Sequence, residues 1–372
     1  MIRVLHVVGS MNRGGIETFI MNIYRNIDRE KVQFDFAVHT KNKCAYDDEI
    51  KELGGRIFYI TPRGKNIIQH YRDWNNLFRN HPELQIIHQH VSSLTYINPL
   101  KIAFRNNVKV RIVHSHSIKA EGKLHHLFHI LHSRIIDKYA NIYFTCSELA
   151  ADWLFDKSKV KRKDVHTIKN AIDVKKFIYD LEKRTKLRKK LSIKEDFVIG
   201  HVGRFTEAKN HKFLIDIFDE ITNKLEKSKL LLVGHGALEQ EIRDYVKEKN
   251  LNNKIIFLGS SSNVEDIMQA MDAFVFPSLY EGLGIVLVEA QASGLKCFTS
   301  EDVVPTEVKL SNLVEYISLK EDKEFWAQKI IEESGKNERI NTNNIIEDAG
   351  FEIKNVATDL QKRYLSCVEN MS

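Results

Sequence analysis

The sequence predicts an α/β protein made of two Rossmann-like, doubly wound units. Three observations carry that expectation. Short apolar runs of strand length alternate with segments of helical periodicity along the chain. A strand leading into a glycine turn and then a helix opens both halves, at Ile2-Arg3-Val4-Leu5-His6-Val7-Val8 and again at Phe197-Val198-Ile199-Gly200-His201-Val202-Gly203. The length of 372 residues is that of two ordinary domains.

In the first half, strands read at 33–38, 56–60, 84–88, 110–114 and 141–146, with helical patterns between them, so the sheet should be parallel. The first strand runs into Gly9-Ser10-Met11-Asn12-Arg13-Gly14-Gly15, and Ile16, Phe19, Ile20 and Ile23 follow at helical spacing. G-x-G-x-x-G is missing, so this is no dinucleotide fingerprint. Gly14 and Gly15 would instead let backbone approach a ligand at the helix start. Two strands end in histidines, Ile86-Ile87-His88-Gln89-His90 and Arg111-Ile112-Val113-His114-Ser115-His116. Ligands of parallel sheets bind outside the strands' carboxyl ends, which makes one or more of these histidines a site candidate.

Next comes a helix with Leu124, Leu127, Phe128, Leu131 and Ile135 on one stripe, surrounded by Lys119, Lys123 and Arg134. Such a basic amphipathic helix either docks on a membrane surface or packs its stripe into the core. Its His125, His129 and His132 have the spacing of a metal face, but no carboxylate or cysteine joins them, and no metal site is expected. Lys157, Lys159, Lys161, Arg162 and Lys163 form a basic cluster without stacking aromatics, so nucleic acid is not the expected partner.

A polar, basic stretch over about 176–195 reads as the linker between a first domain, 1–175, and a second, 176–350; an amphipathic tail occupies 351–372. In the second domain the apolar run Ala273-Phe274-Val275-Phe276 reads as a buried strand, and helical spacing resumes through Val286, Leu287 and Ala290. Glu281 and Gly282 therefore lie on the turn between a strand's carboxyl end and a helix. Gly282 and Gly284 flank Leu283, and the amides of Leu283, Gly284 and Ile285 would open the helix toward a phosphate. Glu281 is suited to sugar hydroxyls, and Glu289, two turns on, to a ribose. Taken singly, either glutamate reads more readily as an ordinary helix-start or surface residue; the E-x7-E spacing in this strand–glycine turn–helix context reverses that.

Composition narrows the class. The four cysteines, Cys44, Cys146, Cys297 and Cys367, show no C-x-x-C spacing, as expected of a reducing cytoplasm. The chain opens on a strand, not on a signal peptide, and lacks the roughly 18 consecutive apolar residues of a membrane span. Residues 1–180 carry 29 Lys and Arg against 18 Asp and Glu, while the remainder carries 27 against 32. A basic first half points either to an anionic partner, with peripheral contact at the inner face of a membrane, or to nothing more than an ordinary lysine-rich surface.

Tyr280-Glu281-Gly282-Leu283-Gly284 followed by Glu289-Ala290 resembles the signature of glycosyltransferase family 4, retaining nucleotide-sugar transferases of GT-B fold. Gly203-Arg204 with Lys209 is similar to the family's paired basic residues, and Gly234-His235-Gly236 to its Gly-x-Gly turn before the helix bearing Glu239. Asn170-Ala171-Ile172-Asp173 resembles its Asn-Gly-Val-Asp turn, with Ala171 in place of glycine. The resemblance implies two Rossmann-like domains facing across a cleft, with the last helix crossing back to the first. It assigns Arg204 and Lys209 to the donor diphosphate, Glu281 and the 283–285 amides to sugar and phosphate, and Glu289 to ribose. His116, with His114 as the competing register, becomes the active-site histidine that orients the sugar, and Gly14-Gly15 faces the diphosphate and acceptor. No D-x-D occurs, so metal-independent transfer is expected. The donor, a substrate and not a resident cofactor, is expected to be a UDP-sugar. The acceptor is expected to be a lipid-linked or plain saccharide of a bacterial capsule or exopolysaccharide. The alternative is a sugar-nucleotide epimerase of the same fold, which would act on the donor without an acceptor.

Overall fold

A computed structural model describes residues 1–116, 122–155, 160–161, 164–334 and 339–369. Lys119, Lys157, Lys159, Arg162 and Lys163 of the basic segments lie outside these residues. The chain divides into two units, Met1–Ala171 with Glu352–Ser372, and Ile172–Phe351.

The first unit holds the strands β1 (Ile2–Val7), β2 (Val32–Val38), β3 (Ile57–Tyr59), β4 (Ile86–Val91), β5 (Val110–Ser115), β6 (Ile142–Thr145) and β7 (Val165–Thr167). They form one sheet in the order β3-β2-β1-β4-β5-β6-β7, every pair parallel. Val4, Leu5, Phe34, Phe36, Ile86, Ile87, Ile112 and Val113 are fully buried, because helices cover both faces of a parallel sheet. The order reverses between β1 and β4, which makes that gap the switch point where a doubly wound sheet opens a crevice. β4 runs past the expected end to Val91, so His88 and His90 lie within the strand. The last helix, Ile353–Glu369, belongs to this unit. It buries Ile353, Ala357, Leu360 and Tyr364, and packs against the helix Gly15–Asn26.

The second unit holds β8 (Phe197–Val202), β9 (Ser228–Val233), β10 (Ile255–Gly259), β11 (Ala273–Phe276), β12 (Lys296–Ser300) and β13 (Val314–Ile317), ordered β10-β9-β8-β11-β12-β13 and again parallel. Its switch point lies between β8 and β11. The stretch expected to be a linker is not one. Residues 174–177 and 181–190 are helical and belong to the second unit. Arg184 donates to Met271 O at 2.7 Å, and Arg188 lies 3.2 Å from the Asp272 carboxylate, which holds this basic helix to the amino end of β11. The helix is strongly basic because its cations serve that anchor and the solvent, a composition that sequence alone cannot distinguish from a linker's.

Candidate active site

At the second unit's switch point, the loops after β8 and β11 are joined in three places. Leu279 N donates to Ala208 O at 2.8 Å, and Asn210 Nδ2 donates to Pro277 O at 3.1 Å. The third link is an ion pair between Lys209 Nζ and the Glu281 carboxylate. Lys209 ends a single 3-10 turn, Glu207–Lys209, and Asn210 takes the left-handed conformation (φ 52°) that starts the helix His211–Lys224. The Lys209 ammonium also lies 4.5 Å from the centre of the Phe276 ring. Glu281 is only 9% exposed, and removing that lysine would leave its carboxylate buried without a cation. Arg204, by contrast, is exposed, and among the described residues no side-chain hydrogen bond or ion pair holds its guanidinium. It is the cation left available to an anionic ligand.

The β8 and β9 loops touch through their backbones. Gly203 N donates to Val233 O (2.9 Å) and Phe205 N to His235 O (3.3 Å). Gly234 has φ 143°, and a Cβ on it would sit 2.0 Å from Gly203 O. Gly234 therefore has a packing role that fixes the height of the Arg204 loop. Glu239 is bound to Arg243 at 2.8 Å and His235 at 2.7 Å.

The helix after β11 begins later than the sequence suggests. It spans Ile285–Ala292, and Gly284 is its left-handed N-cap (φ 80°). Leu287 N is taken by Gly284 O at 2.9 Å. Leu283 and Gly284 thus precede the helix, and of the three amides proposed to open it only Ile285 stands in its first turn, joined by Val286. Glu289 lies on this helix, partly exposed. Desolvation, with the nearby Glu265 charge adding, raises its carboxyl to about 8. It is therefore a neutral acid at pH 7, able to donate as well as accept.

At the first unit's switch point Gly14 caps the helix Gly15–Asn26, and a Cβ on Gly15 would meet no protein atom within 4 Å. The histidines converge here more than the sequence suggests. His6 pairs in register with His88, and His90 with His114, so four imidazoles share one face of β1, β4 and β5, with His116 just beyond. Two hydrogen-bonded chains result. His6 Nδ1 bonds His90 Nε2 (2.9 Å) and His90 Nδ1 bonds His116 Nε2 (2.9 Å); Tyr364 Oη bonds His88 Nδ1 (2.7 Å) and His88 Nε2 bonds His114 Nδ1 (3.1 Å). Burial pushes His6 and His116 down to about 3, and His88, His90 and His114 well below the usual imidazole range. All five are neutral at pH 7. His114 is fully buried and His116 partly open, so His116 is the member of the pair that a ligand can reach. The sequence reading missed His6. No H-x-H marks it in the sequence; only the strand order, which sets β1 beside β4, brings it to His88.

The helix Lys123–Ser133 is turned opposite to a core-packed helix. His129 is its buried residue, accepting from Leu94 N (3.2 Å) and donating to Trp153 O (3.1 Å), while Leu124 is 64% and Leu127 52% exposed. His125, His129 and His132 form no metal face: His129 and His132 are spent on the backbone of Trp153 and Leu94.

Two doubly wound parallel units, with an Arg/Lys/Glu site at one switch point and an imidazole edge at the other, define the GT-B class. The chain belongs to the glycosyltransferases of family 4 and group 1. Residues 13–176 match the model of Glycosyltransferase Family 4 and residues 183–345 that of Glycosyl transferases group 1. It is 37% identical over 333 residues to the putative glycosyltransferase EpsF of Bacillus subtilis (strain 168), covering 88% of this chain and 86% of that one. It is 23% identical over 369 residues to the capsular polysaccharide biosynthesis glycosyltransferase CapH of Staphylococcus aureus, covering 98% and 99%. Among solved structures, Anabaena Alr3699/HepE in complex with UDP and glucose superposes with a TM-score of 0.81 at 17% identity, covering 98% of this chain and all of that one. The protein is a glycosyltransferase, and its family does not favour the epimerase reading.

Proposed function

We propose that the protein transfers a sugar, with retention, from a UDP-sugar to a lipid-linked or saccharide acceptor in the assembly of a bacterial capsule or exopolysaccharide. The observation that carries this reading is the Lys209–Glu281 pair at the second switch point, beside the unengaged Arg204. Arg204 and Lys209 neutralise the diphosphate and stabilise it as it departs. Glu281, paired with Lys209, accepts hydrogen bonds from sugar hydroxyls, and Ile285 N and Val286 N face phosphate oxygen. The neutral carboxyl of Glu289 takes the ribose. Neutral His116 hydrogen-bonds the transferring sugar. The acceptor hydroxyl attacks on the face the diphosphate leaves, and the departing phosphate oxygen receives its proton, so no protein base is consumed. With no D-x-D in the chain, the two cations do the work of a metal. Similarity to the capsular polysaccharide biosynthesis glycosyltransferase CapH and to HepE, solved in complex with UDP and glucose, supports the polysaccharide and the nucleotide.

The outward leucine face supports a membrane-borne acceptor. Leu124, Leu127 and Leu131 are exposed between Lys123 and Arg134, with exposed Ile135 just beyond, a pattern that fits an anionic bilayer surface. Among the described residues no helix is long and apolar enough to cross a membrane, so contact would be peripheral. Incubation with UDP-sugars, lipid-linked acceptors and EDTA, followed by NMR of the product anomer, tests the reading. Retained configuration with EDTA present supports it. An inverted product, or an isomerised donor without acceptor, refutes it.

A further inference from the structure

We propose that His90, His114 and His116 form a binding site for one divalent ion of the zinc class, and that filling it shuts off sugar transfer. One nitrogen from each of these residues lies within 4.8 Å of the others. The hydrogen bonds assign the nitrogens. His90 Nε2 is engaged by His6 Nδ1 and His114 Nδ1 by His88 Nε2, which leaves His90 Nδ1 and His114 Nε2 for a metal. His114 Nε2 is fully buried and has no hydrogen-bond partner among the described residues. His116 Nε2 already lies 2.9 Å from His90 Nδ1, and bonds of 2.0–2.1 Å in tetrahedral geometry need about 3.3 Å between ligand nitrogens. A small opening of that contact admits the ion.

The surroundings are those of a metal site. Ligating imidazoles almost always hydrogen-bond through their other nitrogen, which fixes the tautomer. Here His6 backs His90, while His88, itself bonded to Tyr364 Oη, backs His114. Three nitrogens from uncharged rings, with no carboxylate among them, favour zinc, copper or nickel over magnesium or calcium. Partly exposed His116 provides the entry, and the fourth position is left to water. A second trio, His6, His88 and His90, shares His90 but is buried throughout and offers no such entry.

Inhibition rests on the sugar-contacting role proposed for His116: an imidazole fixed by a divalent ion, with that ion's charge and water beside it, no longer serves the sugar. The test uses the metal-stripped full chain. Zn²⁺ binding is measured by competition with a chromophoric chelator, and Co²⁺ by its visible absorption. One equivalent is expected, with a tetrahedral cobalt spectrum. His114→Gln and His116→Gln should each abolish it, and His6→Gln should weaken it about 10–100-fold as a backing partner. His125→Gln and His126→Gln, on the exposed helix, should leave it intact. Circular dichroism verifies folding, and partly exposed His116 is the variant least prone to misfold. No stoichiometric binding, or binding unchanged in His116→Gln, overturns the site. If zinc binds as described but UDP-sugar turnover is unaffected, the site stands and the inhibitory consequence, with the role of His116, falls.

Discussion

Replacing Lys209 by Met keeps hydrocarbon over the Phe276 ring and removes only the ammonium. Glu281 is then a carboxylate at 9% exposure without its cation. Breaking a buried pair from one side costs about 3–5 kcal/mol; because the lysine side chain is 19% exposed and water can partly replace it, about 2–3 kcal/mol is expected. Glu281→Gln strands a more accessible charge and should cost about 1–2 kcal/mol. The double variant Lys209→Met/Glu281→Gln removes both charges, and such replacements are often neutral, so it should fall within about 1 kcal/mol of wild type. Stability is thus strongly non-additive. Activity should not be rescued if both groups act on the donor as proposed: each variant should lose about 2.7–4 kcal/mol of transition-state stabilisation, roughly 10²–10³-fold in turnover. Urea unfolding followed by fluorescence of Trp326, buried in the second unit, reads the first quantity, and UDP-sugar turnover the second. Additive stability losses would show that the pair is not coupled. Near-normal turnover in the double variant would remove both residues from the site.

Three further outcomes are expected. Arg204→Ala should lower turnover by about 10²–10³-fold with stability within about 0.5 kcal/mol of wild type; a large stability loss in urea would mean that the guanidinium is structural. His6 and His116 titrate at about 3 in the fold against 6.5 when free, so below pH 6.5 the unfolded chain binds protons that the native one does not. Their stabilisation is full above pH 6.5 and is lost as pH falls toward 3, about 2 kcal/mol per histidine between pH 7 and 5. His88, His90 and His114 act in the same direction. A urea midpoint of the first unit that does not drop between those pH values contradicts a buried neutral cluster. Glu289, raised to about 8, has the opposite sign: its contribution is present below the free value of 4.5 and is lost as pH rises through 8. Glu289→Gln should therefore gain on wild type between pH 6 and 9, and a constant difference in midpoint would contradict the shift.

The parallel sheets were legible because strands buried on both faces leave apolar runs such as Phe274-Val275-Phe276. The site in the second unit was legible as a loop after β8 and a loop after β11, since carboxyl-edge residues follow apolar runs directly. What the sequence hid was pairing. Nothing in the spacing of Lys209 and Glu281 says that they touch, because strand order, not chain order, brings β8 beside β11. The same holds for His6 against His88. The strands β12 and β13 were not read, because Lys296-Cys297-Phe298-Thr299-Ser300 mixes polar side chains into a buried strand, with Thr299 bonding Phe276 O at 2.9 Å. The basic helix Leu181–Lys190 was read as a linker because its cations meet Asp272, about 90 residues away in the chain.

The helix Lys123–Ser133 shows a physical reason for an apolar stripe to face water. The loop beneath it presents Leu94 N and Leu94 O to a buried space, and unpaired buried backbone groups are costly. His129 and His132 satisfy both, and His129 stacks on Trp153 with ring centres 4.3 Å apart. Packing the leucines inward instead would strand those backbone groups, so the histidine face is favoured in the fold and the leucine face is left outside. Each such side chain gains about 1.5–3 kcal/mol when fully covered. Leu124, Leu127 and Leu131 between Lys123 and Arg134, with Ile135 just beyond, would therefore supply enough free energy for the reversible binding to an anionic bilayer proposed above. If the proposed acceptor is membrane-borne, the same helix would serve the fold with its histidines and that membrane with its leucines.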